Sequence, residues 1–234
     1  MEGSVWVAGD SRSGPHVLVV DVDAPELVAE DRHHLERVLR LRPGDAVTVG
    51  DGAGRWRRCR FGSVIEPLGD PVTAPAPRPE VAVGFAVLKG GRSETVVQKL
   101  TELGVDRIVP FVSERSVVRL EQDRTARLAQ RWRRVAREAV MQCRRLWLPQ
   151  VAPVRIFAEL DLAGAVLAVP GGEAMAGDES LVLVGPEGGW GSAELAAAPG
   201  HVGLGSHVLR SETAAIAAAA LLCAHRSGHL PADS

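Results

Sequence analysis

The feature that most constrains the fold is an alternation of short apolar segments and helix-forming segments that begins near residue 81. Five apolar segments are typical of strands: VAVGFAVL (81–88), RIVPFV (107–112), AVLAV (165–169), LVLVG (181–185) and HVGLG (201–205). The predicted helices cover residues 93–103 and about 123–145, and two more begin at 192 and 211. Because helices cover both faces of such strands, the pattern predicts an α/β fold with a parallel sheet.

A proline-rich break separates this part of the chain from the residues before it. Residues 69–79 read GDPVTAPAPRP, and proline fixes φ and removes a backbone donor, which favours an extended linker. The earlier residues contain β-branched runs at 17–24 and 45–52, an alternating segment from 56 to 61 and one helix near 29–39. We therefore predict a small β-barrel domain at 1–70, a linker at 71–80 and an α/β domain at 81–234.

Composition excludes several classes of protein. The 234 residues carry a formal net charge of −2, so any contact with nucleic acid must depend on a local basic patch. The longest apolar run is shorter than the ~20 residues that span a bilayer, and MEGSVWVAGD lacks the pattern of a signal peptide. The cysteines Cys59, Cys143 and Cys223 form neither a disulfide framework nor a zinc-binding pattern. These observations predict a soluble, cytoplasmic protein without a metal centre.

Three glycine-rich loops follow the last three predicted strands: VPGGEAM (169–175), GPEGGWGS (185–192) and GLGSHVLRSETA (203–214). A single such loop is usually a tight turn, but three in succession at one sheet edge favour a ligand pocket. GPEGGWGS lacks the Lys-Ser/Thr pair of a phosphate-binding loop, and GLGSHV lacks the third glycine of a dinucleotide fingerprint. The pattern therefore predicts a backbone-lined pocket for an uncharged or zwitterionic cofactor, with Arg210 and Glu187 as the nearest charged groups.

LVGPEGGWGSAEL followed by LGSHVLRSETAAIAAAALL resembles the C-terminal signature of the RsmE family, the 16S ribosomal RNA uracil-N3 methyltransferases of the SPOUT superfamily. HHLERVLRLRPGD, VVQKLTELGVDRIVPFVSERSVV and RWRRVAREAVMQCRRLWLPQV agree with it and occur in the same order. The resemblance covers nearly the whole chain. Three parts of the sequence depart from the family's pattern: the opening SVWV, the residues Val140 and Met141, and the loop VPGGEAM. The resemblance therefore supports the cofactor contacts of this loop less than those of the other two loops.

The resemblance implies a PUA-like domain followed by a SPOUT domain with a trefoil knot, S-adenosylmethionine as cofactor, 16S rRNA of the small ribosomal subunit as substrate, and a homodimer. It implies that the three loops bind the cofactor. The residues expected to do so are Val169, Pro170, Val184, Gly185, Pro186, Gly188, Gly189, Leu204, Gly205, Val208, Leu209 and Thr213.

Methyl transfer to uracil N3 requires loss of the imide proton or stabilisation of the developing anion. Arg210 precedes Ser211, the predicted N-cap of the last helix, where a guanidinium and the helix N-terminus would stabilise negative charge. We expect Arg210 to be the electrostatic stabiliser, with Glu187 or Glu212 as orienting group or proton acceptor. Alternatively, Arg210 pairs with Glu212 on the surface, and Glu187 only shapes its loop. Trp190 is expected in the core rather than against a ligand.

Arginines outnumber acidic residues between positions 115 and 145, which predicts a local positive field for phosphate contact. The residues expected to bind RNA are Arg37, Arg40, Arg42, Lys89, Arg92, Arg115 and Arg144. Two other functions stay open: a SPOUT methyltransferase with another RNA or ribose target, and an RNA-binding ribosome-assembly factor without catalysis. The intact GPEGG and LRSETA loops favour an enzyme.

Overall fold

The computed structural model describes residues 14–116 and 122–230, which form two compact units. Unit 1 comprises the residues up to Ala76 together with Arg137–Leu148, and unit 2 comprises Pro77–Ala136 and the residues from Pro149 onward. The first 13 residues of the predicted N-terminal domain lie outside the described residues.

Unit 1 is built on a four-stranded sheet. Its strands are β1 (His16–Leu18), β2 (Ala46–Gly50), β3 (Arg55–Arg60) and β4 (Glu66–Thr73), in that spatial order. β1 pairs with β2 in parallel, and the other two pairs are antiparallel. Helix α1 (Ala29–His33) continues as a π-helical turn, His34–Val38. The apolar core of unit 1 includes Val17, Leu35, Val47 and Phe61.

The prediction that residues 71–73 belong to a linker is wrong, because β4 continues to Thr73. β4 lies at the edge of the sheet and pairs only with β3. Proline is tolerated on an edge strand, where its missing N–H need not serve a second neighbour. Pro71 therefore lies within the strand and does not end it.

Strands β1 and β3 of unit 1 also differ from what the sequence predicts. β1 ends at Leu18 although the β-branched run continues, because Asp21 Oδ1 accepts from the backbone N–H of Asp23 at 2.8 Å and turns the chain. The alternation expected from residue 56 is interrupted by a register shift between Trp56 and Arg58.

Unit 2 contains a seven-stranded sheet in which every pair of neighbours is parallel, as the sequence predicts. The strands are β5 (Ala82–Ala86), β6 (Arg107–Val112), β7 (Gln150–Val151), β8 (Arg155–Ile156), β9 (Ala165–Ala174), β10 (Leu181–Val184) and β11 (Gly200–Gly203). The order is β11-β9-β10-β5-β6-β7, and β8 also pairs with β6. The helices are α2 (Arg92–Leu103), α3 (Gln122–Cys143), α4 (Ser192–Ala197) and α5 (Ser211–Arg226), with a 3-10 turn at Phe157–Glu159.

Two apolar cores cover the sheet of unit 2. One includes Phe85, Leu100 and Trp132, together with the small residues of α5. The other contains an aromatic group, Phe111, Phe157 and Trp190. Trp190 of this second core belongs to the glycine-rich segment 185–192.

The prediction of a loop at residues 169–175 is wrong, because β9 extends to Ala174. β11 pairs with β9 in two stretches, first His201 with Leu167 and then Val202 with Glu173, with a register shift between them. Such a bulge accommodates extra residues while the strand continues. At Gly172, a Cβ atom would lie 2.6 Å from the carbonyl carbon of Val202, so the backbones need glycine to approach.

Helix α2 begins one residue before its predicted start at Ser93. α2 begins at Arg92 with Gly91 as N-cap, whereas Ser93, the expected cap, is buried. Ser93 Oγ accepts from the backbone N–H of Leu88 at 3.0 Å, so it fixes the preceding loop. The knot that the family resemblance implies stays a prediction.

Candidate active site

A cavity of about 150 Å³ lies in unit 2, between the middle of β9, the end of β10 and the start of α5. Ten of the twelve expected cofactor residues line it: Val169, Pro170, Val184, Gly185, Pro186, Gly189, Leu204, Gly205, Val208 and Leu209. Glu187 lines it as well. The structure therefore brings the three glycine-rich segments to one shared cavity.

Gly188 and Thr213 are not among the lining residues. The carbonyl of Gly188 accepts a long hydrogen bond of 3.4 Å from Arg115 Nη1, and Thr213 is exposed on α5. Sequence reasoning missed five lining residues: Ala168, Trp190, His207, Ser211 and Ala214. Helical spacing could have found one pair, because residues three apart share a helix face and Ser211 and Ala214 belong to α5.

Glu194 holds the loop between β10 and α4 in place. Its buried carboxylate accepts hydrogen bonds from Gly191 N (2.9 Å), Ser113 Oγ (2.9 Å) and Glu114 N (3.0 Å). The bond to Gly191 caps the start of α4, because the N3 carboxylate accepts from the N-cap backbone N–H. The same carboxylate therefore caps a helix and joins it to the end of β6.

Ser211 and Trp190 connect the walls of the cavity. Ser211 Oγ donates to the carbonyl of Gly185 at 2.8 Å, and Trp190 Nε1 donates to the carbonyl of Ala168 at 3.0 Å. The Trp190 ring is stacked on Phe111, with centroids 5.8 Å apart and an interplanar angle of 7°. Trp190 is thus buried in the core, as expected, and also lines the cavity. Arg210, rather than the expected Ser211, is the N-cap of α5.

Arg92 lies between two carboxylates beside the cavity. Its Nη1 donates a hydrogen bond to Glu187 Oε1 and lies 3.6 Å from Glu212 Oε2. Burial alone would raise the pKa of Glu187, but hydrogen bonds from its own backbone and from Arg92, with the charges of Arg92 and Arg210, outweigh burial and lower the pKa. Glu187 is therefore an ionised carboxylate, and Arg92 joins α2 to the loop after β10 and to α5.

Arg210 is exposed at the start of α5. Within the described part of the chain it forms no ion pair, and Glu212 lies against Arg92 instead. Its positive charge contributes to the lowered pKa of Glu187. The guanidinium is therefore free to contact a bound molecule.

The expected RNA-binding residues are distributed between the two units. Arg37, Arg40 and Arg42 are exposed in unit 1, where Arg144 is half-buried. Lys89 and Arg115 are exposed in unit 2, and Arg92 is engaged by the two carboxylates.

Among residues 14–116 and 122–230, no group of three or more His, Cys, Asp or Glu side chains is placed to hold a metal ion. In the same residues, no helix combines the length and the apolar character needed to cross a membrane.

Comparison with known proteins identifies the class. Residues 75–223 match the family model of an RNA methyltransferase domain, and residues 29–64 match that of an RNA methyltransferase PUA domain. The chain is thus an RNA methyltransferase with a preceding PUA domain.

Relatives identify the family within that class. The chain is 35% identical over 232 residues to ribosomal RNA small subunit methyltransferase E of Mycobacterium bovis, covering 86% of this chain and 84% of that protein. It is 30% identical to the protein of the same name from Bacillus subtilis, over 80% of this chain and 85% of that protein. The chain belongs to the ribosomal RNA small subunit methyltransferase E family.

A crystal structure agrees with this assignment. Ribosomal RNA small subunit methyltransferase E from Neisseria gonorrhoeae, bound to S-adenosyl methionine, matches with a TM-score of 0.78 and 28% identity. The match covers 90% of this chain and 97% of that chain. The predicted fold class, a parallel α/β domain preceded by a PUA-like domain, is confirmed.

Proposed function

We propose that this protein transfers the methyl group of S-adenosylmethionine to N3 of a uridine in 16S ribosomal RNA. The observation that carries the proposal is the shared cavity formed by residues 168–170 of β9 and by the segments that follow β10 and β11, in an RNA methyltransferase domain. Relatives named ribosomal RNA small subunit methyltransferase E support the substrate class, and a relative bound to S-adenosyl methionine supports the donor.

The cavity suits a zwitterionic nucleoside derivative. At Gly189 and Gly205, an added Cβ atom would meet nothing within 4 Å, so the space beside these glycines is open to a ligand. Apolar side chains such as Leu204 and Leu209 would cover the flat part of the ligand, and nearby backbone amides would bind its polar groups. The ten lining residues that were expected are the proposed cofactor contacts, together with Trp190. When bound, S-adenosylmethionine supplies an electrophilic methyl group on a sulfonium.

Arg210 is the proposed stabiliser of the uracil anion. Its guanidinium is exposed and forms no ion pair in the described residues, so it can donate two hydrogen bonds to a uracil oxygen. The N-terminus of α5 adds positive potential at the same place. Negative charge that develops on the imide is therefore stabilised where it appears.

Arg92, Glu187 and Glu212 form the proposed orienting group. The guanidinium pairs with both carboxylates and fixes the loop after β10 against the first turn of α5. A carboxylate with a lowered pKa is a weak proton acceptor, so Glu187 acts by orienting its surroundings. Of the roles that the sequence leaves open for Glu187, we therefore propose the orienting role.

RNA binding is proposed for Lys89 and Arg115 beside the cavity and for Arg37, Arg40, Arg42 and Arg144 in unit 1. These residues would hold phosphates while the cavity receives an unstacked uracil. We further propose that the substrate is the rRNA of the small subunit, that the protein acts as a homodimer, and that it acts in the cytoplasm. Light scattering on the purified protein tests the dimer directly.

The decisive experiment supplies the purified protein with methyl-labelled S-adenosylmethionine and with 16S rRNA or small subunits from cells that lack it. Mass spectrometry of the digested RNA should find 3-methyluridine. Label on another base, or on ribose, would contradict the proposal.

Variants then test the roles. Arg210→Ala should lower kcat by about 100-fold or more while calorimetry finds S-adenosylmethionine binding retained. Arg107→Ala is the matched control, since Arg107 pairs with Glu80 and does not line the cavity. A rate near wild type for Arg210→Ala would remove the proposed role of Arg210.

A further inference from the structure

The proposed reaction needs a group that accepts the N3 proton, and the cavity offers few. Among the described residues that line it, Glu187 and His207 are the titratable side chains. Glu187 is held by Arg92, and the charges of Arg92 and Arg210 keep its carboxylate ionised and weakly basic. Glu212 does not line the cavity and lies against the same guanidinium. Glu187 is therefore a poor proton acceptor, and Glu212 lies outside the cavity lining.

His207 differs from both carboxylates in its surroundings. It lies in the segment between β11 and α5, is exposed, and has no acidic partner in the described part of the chain. Its Nδ1 lies 2.7 Å from Ser206 Oγ. If the hydroxyl oxygen accepts the Nδ1 proton, the neutral ring carries its lone pair on Nε2. Imidazole is the side chain that most often serves as a base at neutral pH.

We propose that His207 is the proton acceptor for uracil N3 and that Ser206 is a positioning residue that selects the ring tautomer. This inference rests on the proposed function. The N3–H bond breaks and its proton goes to His207 Nε2. The electron pair left on N3 forms the new bond to the methyl carbon, and the carbon–sulfur bond breaks with its pair on sulfur. The imidazolium then returns its proton to solvent. Arg210, on the same segment, stabilises the charge on the uracil oxygen meanwhile.

Several charged groups surround the cavity that His207 lines. Around the cavity these are Glu187 from the loop after β10, Arg92 from the start of α2, Arg210 and Glu212 from the start of α5, and Arg115 near Gly188. An imidazolium has no lone pair with which to accept the N3 proton, so the rate should fall as the pH is lowered. A variant without the imidazole should lack this acid limb and depend on hydroxide instead.

The test measures methylation of rRNA by the full-length protein across pH. His207→Ala should lower kcat by 100-fold or more, lose the acid limb of the profile, and regain rate in proportion to added imidazole. Ser206→Ala should lower kcat by less than His207→Ala. His201→Gln is the matched control, because His201 lies on β11, bonds to the carbonyl of Leu195 and does not line the cavity. Calorimetry with S-adenosylmethionine checks that each variant keeps its cavity.

The outcomes separate this inference from the proposed function. If the wild-type protein makes no 3-methyluridine, the proposed function and this inference both fail. If it does and His207→Ala retains at least a third of the rate, only the role of His207 fails. The role of His207 is also overturned if His207→Ala is slow but keeps the acid limb of its pH profile and does not respond to added imidazole.

Discussion

His16 makes the stability of unit 1 depend on pH. Thr48 Oγ1 donates to the carbonyl of Pro15 at 3.3 Å, so the same oxygen accepts from His16 Nδ1 at 2.9 Å. His16 Nε2 is buried without a hydrogen-bond partner, and a Cβ at Gly50 would lie 3.1 Å from it. A proton on Nε2 would therefore have no acceptor. Burial, with the charge of Arg144, lowers the pKa of His16 from 6.5 to about 4.

The direction of the effect follows from proton uptake. Between pH 6.5 and pH 4 the unfolded chain binds a proton at His16 and the folded chain does not. The stabilisation is therefore present above pH 6.5 and is lost as pH falls toward 4. Proton linkage predicts that the free energy of unfolding falls by about 2 kcal/mol between pH 7 and pH 5. The total decrease approaches about 3 kcal/mol at lower pH.

Urea unfolding followed by circular dichroism at pH 7 and at pH 5 measures this loss. His16→Gln lacks the titrating ring, so its free energy of unfolding should fall by about 2 kcal/mol less than that of the wild type. His33→Gln is the matched control, because His33 is exposed on α1. If the wild type and His16→Gln lose equal stability, the buried ring does not control the pH response.

Substitutions at three other positions test the packing and ion pairing. Trp190→Ala should lower the free energy of unfolding by about 3–5 kcal/mol, and Trp190→Phe, which loses the bond to Ala168, by about 1 kcal/mol at least, both measured in urea. Gly84→Ala places a Cβ 2.3 Å from Leu183 Cδ2, which should cost about 1–3 kcal/mol and lower Tm in calorimetry. Asp31→Asn weakens the ion pair with Arg137 in unit 1 and should cost about 2 kcal/mol in the same urea assay. Equal stability of Trp190→Ala and Trp190→Phe, an unchanged Tm for Gly84→Ala, or a neutral Asp31→Asn would each contradict its packing argument.

The periodic part of the fold could be predicted from the sequence. The strands of unit 2 are short apolar runs whose burial agrees with their composition, such as β5 and β10, each buried along its whole length. Glycine-rich segments after the last three predicted strands indicated one cavity, because carboxyl ends of parallel strands lie at the same sheet edge. These inferences need only local sequence and a general topological rule.

Features that depend on distant partners could not be predicted. β9 continues through Gly171 and Gly172 only because β11 pairs with it on both sides of a bulge. Serine favours the N-cap position of helices, yet the hydroxyls of Ser93 and Ser211 form hydrogen bonds with the backbone of Leu88 and Gly185. Arg92 was expected to bind RNA because it follows a strand end near the predicted pocket, whereas two carboxylates distant in sequence engage it. His207 was overlooked because a single histidine in a loop carries no periodic signal.

Trp190 gives the protein a built-in optical reporter. Its indole is one wall of the cavity, while its other contacts, Phe111 and Phe157, fix it rigidly in the interior. Indole emission responds to the polarity of its surroundings, so a molecule that enters and displaces water should shift the emission of Trp190 to shorter wavelength. Since the chain has five tryptophans, the difference between the wild type and Trp190→Phe isolates this shift. Occupancy of the pocket could then be followed in real time without any attached dye.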